Sequence, residues 1–110
     1  MRPIYQNFMT PEEELFQTIG QGLPNTEQGQ LFGKPCFKTN RKAFVCFFQN
    51  EMVFKLGGQT HQQALSLAGA RLFDPSGKDH PMKEWVQVPA AHQAQWPALA
   101  KEALQFVTSL

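Results

Sequence analysis

No apolar run in the chain approaches the roughly 20 residues that cross a bilayer as a helix. No basic stretch leading into an apolar and then a small-residue segment opens it, so no secretory signal is expected. A soluble, cytoplasmic protein without membrane partners follows as the expectation. Charge is sparse: charged residues make up 17%, with 10 Lys+Arg against 9 Asp+Glu. That balance excludes a disordered polyelectrolyte and a histone-like nucleic-acid binder. Cysteine is scarcer still. Two residues, Cys36 and Cys46, are too few for a disulfide framework. There is no CxxC, HxH or HxxxH, and His61, His80 and His92 fall in different segments, so no metal site is expected. A glycine-rich phosphate loop and a nucleophile elbow are both missing. Asp74, Asp79 and His80 share one loop, but turn chemistry is the simpler reading of them. No catalytic residue, no cofactor and no enzymatic activity are expected.

What is present is one domain's worth of core. The 110 residues are 42% hydrophobic and include 10 Phe, enough for a single hydrophobic centre over residues 1–110. Thr10-Pro11-Glu12-Glu13 predicts a helix start, with Thr10 as cap, Pro11 in the first position and Glu13 completing a capping box. Leu15, Phe16 and Ile19 form its apolar stripe, and Gly20 or Gly22 ends it. Ile4, Tyr5 and Phe8 either extend this helix or pack as an arm. Strands are expected at Leu31-Phe32, Cys36–Thr39, Ala43–Phe48 and Met52–Leu56. The turns between them fall at Gly33-Lys34-Pro35, Asn40-Arg41 and Gln49-Asn50-Glu51. Ala43–Phe48 is apolar on both faces and belongs in mid-sheet.

A helix over 61–70 with Ala64, Leu65 and Ala68 inward comes next, then strands at Arg71–Phe73 and Glu84–Val88. A short turn over 90–95 precedes a last helix with Trp96, Leu99, Ala100, Ala103, Phe106 and Val107 inward. The order α-β-β-β-β-α-β-β-α predicts an α+β fold, a single antiparallel sheet of five to six strands with helices packed on it.

Register decides the cysteines. A two-residue turn at Asn40-Arg41 pairs Thr39 with Lys42 and Cys36 with Val45, turning Cys46 to the other face. A three-residue loop would set Cys36 opposite Cys46. Two free thiols are the preferred reading in a reducing compartment.

Charge is uneven along the chain. Residues 1–33 hold Arg2 against Glu12, Glu13, Glu14 and Glu27. Residues 34–55 hold Lys34, Lys38, Arg41, Lys42 and Lys55 against Glu51. A basic hairpin of Lys34, Lys38, Arg41 and Lys42 can meet phosphate or an acidic protein. It can equally be a solvated hairpin whose cations guard a sheet edge. The strand aromatics Phe44, Phe47, Phe48 and Phe54 read as core rather than as a base-stacking platform. Trp85 shares a strand face with Gln87. Packing against the last helix is its preferred reading, and exposure in a groove the other. With Met82 it completes the candidate interaction surface.

Several segments together resemble the N-terminal domain of the TfoX/Sxy family, bacterial proteins linked to natural competence. They are Leu31-Phe32-Gly33, Lys42-Ala43-Phe44, Phe54-Lys55-Leu56, Phe73-Asp74-Pro75-Ser76-Gly77 and the run Pro81 to Pro89. The family usually has Met-Phe-Gly at the first, and often Gly where Arg41 stands. The resemblance covers roughly residues 10–108. It implies a fold like that of small secretion-chaperone-type α+β modules and no catalytic residues. In the family, regulators act beside the cyclic-AMP receptor protein, and full-length members carry a further helical domain. The implied function is a stand-alone non-enzymatic module that binds a protein partner, with a regulatory, transcription-related role among its possibilities. Weak nucleic-acid binding through residues 34–42 is the alternative. A small-ligand binder or enzyme with a sheet–helix pocket is the second alternative. An unpaired sheet edge also offers a seam for a homodimer.

Overall fold

The computed structural model describes residues 9–110. The arm or helix extension expected at Ile4, Tyr5 and Phe8 lies outside them. The fold is α+β: one open antiparallel six-stranded sheet with helices on one face. The elements are α1 (Pro11–Gln21), β1 (Glu27–Leu31), β2 (Lys34–Thr39), β3 (Lys42–Phe48), β4 (Glu51–Lys55), α2 (Gly58–Leu65), β5 (Arg71–Phe73), β6 (Met82–Val88) and α3 (Trp96–Thr108). A short 3-10 helix, Ala90–Gln95, leads into α3. The strand order is β1-β2-β3-β4-β6-β5, so β3 and β4 are central, and among the described residues β1 and β5 are the edges.

The first four strands form a meander joined by three two-residue turns, Phe32-Gly33, Asn40-Arg41 and Gln49-Asn50. Both residues of each turn have positive φ, the type I′ geometry whose twist matches that of the flanking strands. The first of these departs from expectation. Phe32 belongs to the turn and not to a strand, and Lys34-Pro35 opens β2 instead of turning. Gly33 and Pro35 together suggest a turn centred between them. Pro35 fits the strand because its position opposite Gln30 turns its missing N–H toward β3, and β2 pairs with β3 only from Cys36 onward.

α1 starts as its cap predicts, with the Glu13 backbone N–H donating to Thr10 Oγ1 at 3.1 Å. No reciprocal bond from the Glu13 side chain forms among the described residues. Thr10 Oγ1 instead donates to Asn50 Oδ1 at 2.6 Å, and Asn50 Nδ2 donates to Glu12 Oε1 at 3.1 Å. The helix start is thereby tied to the β3–β4 turn.

α2 stops earlier than expected, at Leu65. Ser66 Oγ donates back to the Gln63 carbonyl, and Gly69 turns with a φ of 83°. Ala68 is therefore exposed, and Leu67 packs on the core in its place.

The main core lies between the sheet and the helices. Phe16 of α1 stacks edge-on to Phe37 and tilts against Phe47, with centroids 5.2 and 5.3 Å apart. Trp96, Leu99, Ala100, Ala103 and Val107 of α3 cover Val45, Met52, Phe54, Val86 and Val88. Each large side chain buried here contributes about 1.5–3 kcal/mol. A second cluster occupies the opposite face: Cys36, Cys46, Val53, Phe73 and Trp85, flanked by Leu31, Ala43, Phe48 and Met82. This corrects the placement of Trp85. Trp85 alternates with Val86, which faces α3, so its ring faces away from the last helix and packs 6.4 Å from Phe73.

Candidate interaction surface on the β2–β3 hairpin

The four hairpin cations arise from two local rules. Period-two alternation puts Lys34, Cys36 and Lys38 on the face of β2 that carries the second cluster. The type I′ turn lifts Arg41 and leaves Lys42 beside it at the tip, both exposed. Lys34 and Lys38 are half-buried along their stems. The Lys34 ammonium lies 5.3 Å above the Phe48 ring, a geometry that steadies the stem while the charge stays near water.

Among the described residues, the salt bridges are Lys55–Glu84 at 3.8 Å and Arg71–Glu51 at 3.2 Å. Neither uses Lys34, Lys38, Arg41 or Lys42. The hairpin thus carries four cations outside any salt bridge, with Glu27 the cross-strand neighbour of Lys38, whereas Lys55 of β4 and Arg71 of β5 are paired.

Met82 and Trp85 stand apart from that group. Trp85 is 5% exposed, and the Lys55 ammonium lies 6.0 Å from its ring. Met82 is half-buried against the second cluster. These two residues hold the helix-free face together, and the accessible part of the candidate surface is the cationic hairpin.

The two cysteines do face each other. Thr39 pairs with Lys42 as a two-residue turn requires, yet Cys36 pairs with Cys46, because the register shifts between Phe37 and Lys38. The extra residue lies on β3, where Phe44 and Val45 both enter the main core. Both thiols are free and fully buried. Burial pushes Cys46 up to about 12, with the neighbouring Cys36 adding to the rise. Burial also raises Cys36, against a lowering by Lys38 and the Gly29 backbone.

The histidines act as local braces. His61 Nε2 bonds the Lys83 carbonyl at 2.8 Å and His92 Nε2 the Ala68 carbonyl at 2.9 Å. Asp74 organises its loop: Oδ1 accepts from Ser76 Oγ at 2.6 Å and from the Ser76 and Gly77 backbone N–H groups, and Oδ2 accepts from the His80 N–H. The Ser76 hydroxyl, followed by these amides, holds the carboxyl below its ordinary range. Among the described residues, no three His, Cys, Asp or Glu side chains converge in a way that could hold a metal ion.

An open groove of about 700 Å³ lies where the start of β1, the β2–β3 tip and the end of α3 meet. Pro24 and Leu104 supply its apolar part, Asn25, Asn40 and Gln105 its amides, and among the described residues no titratable side chain lines it. Sequence reasoning missed it because its walls come from three distant segments, each of which reads alone as a polar terminus or turn.

No helix among the described residues is long and apolar enough to cross a membrane. No family model, no curated protein and no solved structure matches the chain. The fold and surface therefore define its class directly: an α+β module with its helices on one sheet face and unpaired cations along one hairpin.

Proposed function

We propose that the chain is a non-catalytic interaction module that binds an acidic surface of a protein partner through Lys34, Lys38, Arg41 and Lys42. The observation that carries this reading is the set of four hairpin cations without a salt-bridge partner among the described residues, while Lys55 of β4 and Arg71 of β5 are paired. Unpaired like charges on one hairpin repel each other, and an acidic partner relieves that repulsion. The resemblance to the TfoX/Sxy N-terminal domain supports the same reading, including a role beside a transcription regulator in a bacterial cytoplasm.

Nucleic acid is the competing ligand for the same cations. Sheet-based RNA binders add two or three exposed aromatics to a basic surface. Here Phe37, Phe44, Phe47 and Phe54 are buried, and among the described residues Phe32, in the β1–β2 turn, is the one exposed phenylalanine. That distribution favours a protein partner.

An NMR titration of the labelled protein with a short polyglutamate peptide, and separately with a DNA duplex, tests the proposal. The amides of residues 38–43 should shift with the peptide and lose the shift in the Arg41→Glu, Lys42→Glu double variant. Shifts with the duplex and none with the peptide would move the assignment to nucleic acid.

A further inference from the structure

The two edges of the sheet are not equivalent. β5 is three residues long, carries Arg71 paired to Glu51, and runs directly into the Asp74 turn. Shortness and charge are the usual protections of an edge. β1 has neither a cation nor a proline in its sequence Glu-Gln-Gly-Gln-Leu. Among the described residues it pairs with β2 alone, and Glu27, Gln28 and Gln30 are exposed.

We propose that two copies of the chain join through β1, antiparallel and with the two-fold axis at Gly29. The register follows from the hairpin. In a two-residue turn the flanking residues, Leu31 and Lys34, form the hydrogen-bonded pair, and pairs alternate from there. Gly29 then bonds inward to Cys36, while the backbone groups of Gln28 and Gln30 point outward. A two-fold at Gly29 sets Gln28 of one copy against Gln30 of the other, and each such pair exchanges both N–H···O bonds. Gly29 meets Gly29 at the centre, in the closer, non-bonded kind of pair, with the Lys38 stem of each copy lying over its own glycine.

Charge and shape agree with this register. Glu27 of one copy lies opposite Leu31 of the other, in one row with Lys34 across two strand spacings of about 4.8 Å. The two Glu27 carboxylates stand at opposite ends of the seam. Phe32, 59% exposed, comes alongside Thr26 of the other copy, one residue from Asn25 in the groove with apolar walls Pro24 and Leu104. Phe32 also holds a φ of 52°, a strained conformation for an aromatic residue and one that recurs where a side chain is presented for use. The seam is formed by the β1 backbone and its test reads self-association, not partner binding, so its failure and that of the function proposed above are distinguishable.

The test is sedimentation equilibrium across a concentration series, with circular dichroism as the check on folding. The wild-type chain should show a monomer–dimer equilibrium. Gln28→Lys with Gln30→Lys sets lysines directly opposite each other and should raise the dissociation constant at least tenfold. Gln28→Glu with Gln30→Lys makes the same positions complementary and should restore the dimer. Phe32→Ala should weaken it without unfolding the chain. A chain that stays monomeric at millimolar concentration overturns the proposal, and so does a dimer indifferent to both charge pairs. Protection of the Gln28 and Gln30 amides by an added extended peptide, with no self-association, would assign the edge to another protein and also overturn it.

Discussion

Cys36 and Cys46 stand directly opposite each other across β2 and β3, although the two-residue turn that joins those strands would by simple counting pair Cys36 with Val45. One bulge reconciles the two. It inserts a residue on β3, sends both Phe44 and Val45 into the helix-covered core, and returns Cys46 to the face of Cys36. The pair sits beneath the same face along which Lys34 and Lys38 run.

Burial of that pair sets its chemistry. The thiolate is the reactive form, and Cys46 is pushed up to about 12. Native protein at pH 8 should resist iodoacetamide at both cysteines and react fully once unfolded. The sign of the linkage follows: a raised folded pKa stabilises the fold below the unfolded thiol value and loses that contribution as pH climbs toward 12. Mass spectrometry of the alkylated protein checks the first point, and urea melts at pH 8 and pH 10.5 check the second.

Gly20 lies inside α1, where alanine ordinarily gains about 1 kcal/mol through helix propensity. Its Cα faces the Phe37 ring, and an added methyl would overlap Cδ2 and Cε2 of that ring. Phe37 is wedged against Phe16 and cannot retreat freely. Gly20→Ala should therefore destabilise the fold by about 1–3 kcal/mol, the range for overpacking a core. Chemical denaturation decides the sign.

Phe32 occupies a turn position that favours Asn or Gly. Phe32→Asn should raise stability by about 0.5–1 kcal/mol through relief of left-handed strain, and should weaken self-association at the same time. A melting curve and a sedimentation run on one variant read the two effects separately.

Asp74 predicts an acid-sensitive loop. Its carboxyl is held below the ordinary range by Ser76 Oγ and three backbone amides. A depressed folded pKa contributes order above the unfolded value and loses it as pH falls through the folded one. The amides of Ser76, Gly77 and His80, their exchange rates taken relative to those of an unstructured chain at the same pH, should be less protected below about pH 4 than at pH 6, given an ordinary carboxylate near 3.9. Asp74→Asn should flatten that dependence.

Local signals made most of the fold legible. Thr10-Pro11 placed α1, Asn40-Arg41 placed a turn, and the 3.6-residue period from Trp96 placed α3. Alternation along β6 separated Trp85 from Val86 and Val88. It did not reveal which face the helices cover, because that depends on long-range packing, and Trp85 turned out to lie on the other side. The Cys36–Cys46 register was hidden for a related reason. A bulge shifts pairing without a glycine or proline to mark it. The cations were legible as a cluster in sequence. Their lack of acid partners required the distances, and the groove beside Asn25 required three segments to be folded together.

The most direct test of the proposed function is a crosslinked pull-down of the tagged chain from its native cells, run with and without nuclease and repeated with the Arg41→Glu, Lys42→Glu variant. The account predicts a protein partner that survives nuclease and falls about tenfold or more when the hairpin charge is reversed, as loss of steering and close charge pairs implies. Recovery that vanishes with nuclease, or a partner held equally by the reversed variant, would contradict it.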